Sequence, residues 1–185
     1  MKTLHSIKLI ALLFISSILL SSCSDNHEDD DHDHEEELIT TVTYTLSNGA
    51  DIVTLKFQDL TGGSIEDATY DVSGPLTANT TYTGSIQLLN ETESPAEDIT
   101  EEVEEEADEH EFFYASSVAG VSITKTDMDS NGNPIGIGTS LTAGNAGTGT
   151  LTIILKHEPT KPNNGSSDAA GGSTDVEVSF LIEVQ

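Results

Sequence analysis

From Leu38 onward the chain alternates apolar and polar residues with a period of two, the repeat of a strand buried on one face. Asp175 to Val184, "DVEVSFLIEV", places Val176, Val178, Phe180, Ile182 and Val184 on one side. "ADIVTLKFQ" does the same with Val53, Leu55 and Phe57, "LITTVTYTL" with Leu38, Val42, Tyr44 and Leu46, and "TGTLTIILKH" with Leu151, Ile153 and Leu155. Further strands are predicted near 68–73, 80–90, 111–116, 118–127 and 135–141, with Gly, Asn and Asp clusters between them supplying turns. One segment breaks the pattern. Ser94-Pro95-Ala96-Glu97 has the composition of a capped helix start, and Ile99, Val103 and Ala107 then recur every four residues. The spacing predicts a single acidic amphipathic helix over about 95–109.

Eight or nine such strands and one helix predict a mainly β fold, an antiparallel Greek-key sandwich of the immunoglobulin or fibronectin kind. The segment "PLTANTTYTGSIQL" sharpens this. Leu76, Ala78, Thr80 and Tyr82 resemble the Leu-x-Pro-x-Thr-x-Tyr segment of fibronectin type III domains, with Ala78 where Pro is usual. That resemblance implies a tyrosine corner, in which the Tyr82 hydroxyl bonds back to the chain as it crosses between sheets.

The N-terminus has a different character. Lys2 and Lys8 precede a short apolar run, Leu9 to Leu20, which reads as a signal peptide over 1–22. It ends Leu20-Ser21-Ser22-Cys23, which resembles a bacterial lipobox. The resemblance implies acylation of Cys23, and Ser24 after it implies the outer membrane. Cys23 is the single cysteine of the chain, so no internal disulfide is available. Residues 23–37 form an acidic, His-rich tether without a folding core, in which His27, His32 and His34 alternate with carboxylates and suit weak metal binding. The folded domain spans 38–185.

Charge narrows the partners. The chain holds 33 acidic residues against 6 basic ones, and two of the basic ones lie in the signal. Binding nucleic acid requires many Lys and Arg contacts to phosphate, so that class is excluded. Membrane attachment must come from lipid. With no Trp, sugar stacking is disfavoured, and so is carbohydrate as a partner. No nucleophile elbow or phosphate loop is present, and the folded part has no Cys, so no enzymatic activity is expected. Cations are the favoured ligands.

Two segments present ligands for them. Between Glu97 and Glu111 lie ten carboxylates and no Lys or Arg. On a helix, Glu102, Glu106 and His110 line up at intervals of four and repel one another unless a cation intervenes. His157 and Glu158, ending a strand in "LKHEP", complete the expected set. Carboxylates with imidazole suit zinc or another first-row divalent ion. The second segment, "DMDSNGN", has Asp127, Asp129, Asn131 and Asn133 in calcium-loop order, but Gly138 stands where an EF-hand carries its bidentate Glu. Asn131-Gly132 there equally signals a hairpin turn. The later stretch "EPTKPNNGSSDAAGGSTD" has the composition of a mobile loop.

Most of residues 38–185 is similar to a family of uncharacterised bacterial lipoproteins that carry the label "type 1 periplasmic binding fold". The likeness lies in "NTTYTGSIQLLNETESPAEDITEEVEEEADEHEFF", "DMDSNGNPIGIG" and "LKHEPTKP". It implies an association with outer-membrane transporters and brings no catalytic residues. The strand period, not that label, sets the fold expected here. Two functions follow as expectations. One is a lipid-anchored cell-envelope protein that binds divalent metal in support of a transporter. The other is a structural or adhesive module whose acidic helix docks a basic protein partner.

Overall fold

Alternation becomes two antiparallel sheets that face each other across one core. The computed structural model describes residues 38–61 and 67–185. The signal peptide, Cys23, and the tether with His27, His32 and His34 lie outside the described residues. The strands are β1 (Thr41–Asn48), β2 (Asp51–Gln58), β3 (Thr69–Val72), β4 (Thr81–Asn90), β5 (Glu97–Asp98), β6 (His110–Ser116), β7 (Ser122–Lys125), β8 (Gly138–Thr142), β9 (Gly147–His157) and β10 (Ser173–Val184). Two short helices are α1 (Ile99–Glu105) and α2 (Ser167–Ala170). The larger sheet runs β3-β2-β1-β4-β8-β7, with β5 paired onto β4, and the smaller runs β10-β9-β6. The protein is mainly β, and its sheets do not close into a barrel.

In β3-β2-β1-β4, three successive strands are followed by a fourth that returns beside the first, which is the Greek-key order. The return passes through the second sheet. Leu76 N–H donates to Glu183 O at 2.8 Å, and Ala78 N–H to Gln185 O at 2.8 Å, so 76–78 rides along the end of β10 before crossing to β4. At the crossing the Tyr82 hydroxyl accepts the Thr77 N–H at 2.9 Å and donates to Asp51 Oδ2. This is the back-bond that the resemblance to the fibronectin segment implies.

The alternating positions supply the core. Val42, Tyr44, Leu46, Leu55, Leu88, Leu151, Ile153, Leu155 and Phe180 are all fully buried. Each contributes about 1.5–3 kcal/mol through removal of apolar surface from water. Gly84 interrupts the inward row of β4 for a steric reason. A Cβ there would lie 2.6 Å from the Tyr44 hydroxyl, which bonds Thr139 Oγ1 at 2.6 Å inside the core.

Two expectations are corrected. The helix over 95–109 shrinks to Ile99–Glu105. Glu97 and Asp98 stay extended because they pair with Asn90 and Leu89 of β4. The cap is therefore Asp98, whose carboxylate accepts the Thr100 N–H at 3.0 Å, and not Ser94. Ile99 and Val103 are buried as the stripe requires, but by His110 the chain has already entered β6. The loop after β9, expected to be mobile, is tied down. Lys161 Nζ donates to the carbonyls of Ala107 and His110, both at 2.6 Å, and Thr160 N–H to Ala170 O at 2.8 Å.

Candidate metal centre

Antiparallel register builds this site. β6 and β9 are neighbours, and His110 is paired directly with His157. Their chain neighbours are Glu109, just before β6, and Glu158, just after β9. A Glu-His run antiparallel to a His-Glu run sets imidazole beside imidazole and carboxylate beside carboxylate. The Glu158 N–H donates to Glu109 O at 2.6 Å, extending the ladder by one step. Donor atoms of Glu109, His157 and Glu158 then all lie within 4.8 Å of one another, so these three residues could hold a metal ion. His157 Nε2 is 3.6 Å from Glu109 Oε2. Bonds of about 2 Å to one ion place donors roughly 3–4 Å apart, so a small turn of a carboxylate closes the set. Glu109 is 43% exposed at its side chain, and Glu158 is exposed, so the site opens to solvent.

Glu158 is held in an unusual backbone state. Its φ is +52°, in the left-handed region that a non-Gly residue adopts at a cost. Pro159 follows, and Gly172 packs against it so closely that a Cβ there would lie 2.9 Å from the Glu158 carbonyl carbon. The surrounding chain therefore fixes the direction in which the Glu158 side chain leaves the strand end.

Four of the five residues expected at this site come near one another, but not as one ligand shell. His110 and His157 stack, with ring centroids 4.7 Å apart and planes 14° from parallel. An imidazole binds a metal in its own plane, and two parallel planes at that separation cannot share an ion. His110 is thus excluded from the shell of His157 in this arrangement. It is fully buried. Its Nδ1 lies 3.2 Å from the Glu106 carbonyl, which can only accept, so Nδ1 carries the hydrogen. Its Nε2 lies 3.9 Å from Asp175 Oδ2. Asp175 sits at the register shift of β10 between Thr174 and Val176 and is 1% exposed at its side chain. Glu106 reaches His110 at 4.0 Å rather than the Glu109 cluster. Among the described residues, Glu102 lies outside that cluster too, on α1.

The second expected site resolves into a turn. Asp129 Oδ1 accepts the N–H groups of Asn131 at 2.9 Å and Asn133 at 2.8 Å, and Oδ2 accepts Asn133 Nδ2 at 3.1 Å. Lys161 Nζ adds a contact at 3.5 Å. Asp127 accepts the N–H groups of Gly136 and Gly138 at 2.7 and 3.0 Å. Burial alone would push the Asp129 carboxyl up, but the Asn133 and Asn131 hydrogen bonds and Lys161 together bring it below its ordinary value. The carboxylates of Asp127, Asp129 and the amides of Asn131 and Asn133 thus serve a hairpin, and calcium would have to displace those donors.

Helical spacing puts Glu109 in a second acidic row with Glu101 and Glu105 rather than in the ligand set, and gives no role to Asp175 or Lys161. The signal that could have found Glu109 is the mirrored order, Glu109-His110 against His157-Glu158, which coincides only in one antiparallel register. Neither a protein-family model, nor a curated protein, nor a solved structure matches this chain.

Proposed function

We propose that this is a lipid-anchored cell-envelope protein whose sandwich binds a divalent metal ion through Glu109, His157 and Glu158, in support of an outer-membrane transporter. The observation that carries the reading is the convergence of one imidazole and two carboxylates within 4.8 Å at paired strand ends. Two oxygens and one nitrogen suit zinc or another first-row ion better than calcium. Three protein donors leave a position for water or for a group that accepts the ion. The formal charge of −27 raises the local cation concentration around the opening. Anchoring rests on Cys23 and the run before it, and transporter association on the family likeness.

Equilibrium dialysis against zinc, manganese, copper, iron and calcium tests it. The wild-type protein should bind a first-row ion tighter than millimolar. Glu109→Gln with Glu158→Gln should weaken binding well beyond the roughly tenfold cost of an outer-sphere change. No binding tighter than millimolar, or unchanged affinity in the double variant, removes the reading. One observation favours the other function. α1 exposes Glu101, Glu104 and Glu105 and has no basic residue in its last turn. A basic protein partner retained in chelator and released by salt would support the docking role instead.

A further inference from the structure

On the far side of β6 from the core, a second group of residues has a different chemistry. Glu111 is 4% exposed at its side chain, and its two carboxylate oxygens take two partners. Lys125 Nζ, from edge strand β7, donates to Oε1. Asn163 Nδ2, from the loop after β9, donates to Oε2 at 2.6 Å. One carboxylate therefore holds an amine and a carboxamide side by side. The Asn163 carbonyl oxygen in turn accepts the Gly165 N–H at 2.8 Å. All four residues line a cavity of about 250 Å3 whose other walls include Pro134 and Pro162. Lys125 Nζ also lies over the Phe113 ring, 4.4 Å from its centroid.

The geometry points to an intramolecular isopeptide bond between Lys125 Nζ and Asn163 Cγ, formed with Glu111 as proton carrier. The ammonium first gives a proton to Glu111 Oε1. The free amine pair then attacks Cγ, and the electrons of the C=O bond move onto Oδ1, where the Gly165 N–H stabilises them. Glu111 takes the second proton from Nζ as it returns one to Nδ2. The C=O bond re-forms as the Cγ–Nδ2 bond breaks, and the departing ammonia takes the remaining proton from Glu111 and leaves as ammonium. One amide is formed and one is broken, no oxidant or cofactor is consumed, and Glu111 ends as it began. The nucleophile and the leaving nitrogen sit on opposite oxygens of one carboxylate, and the oxyanion has its donor. Burial supports the reaction further by lowering the Lys125 pKa, although its contact with Glu111 opposes that shift. Burial of the Glu111 side chain strengthens its interactions with both partners.

Intact-mass spectrometry of the purified, denatured protein tests this, followed by proteolytic mapping. The expected result is a loss of about 17 Da, one ammonia, with a branched peptide joining Lys125 to Asn163. Succinimide formation at an Asn-Gly step loses the same mass without a branch, so the map decides between the two. Lys125→Arg and Asn163→Ala should restore the full mass, and Glu111→Gln should leave the two side chains unjoined. A wild-type protein that maps as two linear peptides overturns the proposal without touching the metal site. A branch of equal yield in Glu111→Gln overturns the role given to the carboxylate.

Discussion

Gly84 and Glu158 are two residues whose neighbours, rather than their own propensities, decide them. Gly84 leaves room for the Tyr44 ring and hydroxyl. Gly84→Ala should cost about 1–3 kcal/mol through overpacking, read as a lower denaturant midpoint with an unchanged m-value. The Tyr44 hydroxyl itself is pushed up to about 12 by burial, partly offset by its bond to Thr139. Its contribution is therefore intact below its ordinary value of 10.0 and is lost as pH rises through about 12. Glu158 gives a prediction of opposed signs. Its φ of +52° is strained for a glutamate and free for a glycine. Glu158→Gly should raise the stability of the metal-free protein by about 1 kcal/mol while weakening metal binding. A variant that loses stability and keeps its affinity would contradict both the strain and the ligand role.

At the scale of elements, the 127–133 hairpin and the loop after β9 act together. Asp129 closes the turn on itself and faces Lys161, which holds the carbonyls on either side of Glu109. Because hydrogen bonds and Lys161 set the Asp129 carboxyl below its ordinary 3.8, its stabilisation is present above that value and is lost as pH falls through the lower folded one. Asp129→Asn should then destabilise by roughly 1–3 kcal/mol at neutral pH. The gap between variant and wild type should close as the solution is taken below about pH 4. Denaturation curves at stepped pH measure it. The strands themselves were legible because alternation is local. The helix limits were not, since β4 claims Glu97 and Asp98 before α1 begins and β6 claims His110 after it ends. The calcium-like order at Asp127 and Asp129 was legible as spacing, but spacing does not show that backbone N–H groups reach those oxygens first.

Over the whole molecule, the two sheets end on edge strands β7 and β6 on the side where Glu111, Lys125 and Asn163 meet. An amide joining 125 to 163 would close a long loop across that side. By the loop-closure argument used for any covalent link, it stabilises by about 4 kcal/mol. Glu111→Gln should therefore lower the melting temperature by several degrees, and by more than a substitution at the metal site does. A thermal scan of both variants in chelator separates the two. The surplus of carboxylates bears on the same scale. Self-repulsion of 33 acidic groups weakens as salt screens them, so stability should rise with ionic strength.

The chain by itself determined the mainly β class and most of the inward rows of β1, β2, β9 and β10, because alternation acts between residues two positions apart, although Leu38, placed in the first of those rows, is exposed. The tyrosine back-bond was implied by the fibronectin-like segment. It also determined the net charge, which composition alone sets. Only the tertiary structure decided which acidic groups meet an imidazole. His110 and His157 are 47 residues apart, and one register of β6 on β9 pairs them, stacks them and brings Glu109 to Glu158. The same is true of Lys125, Glu111 and Asn163, which arrive from an edge strand, the other sheet and a loop. Contacts of that range depend on how two sheets pack, and no local period encodes the packing.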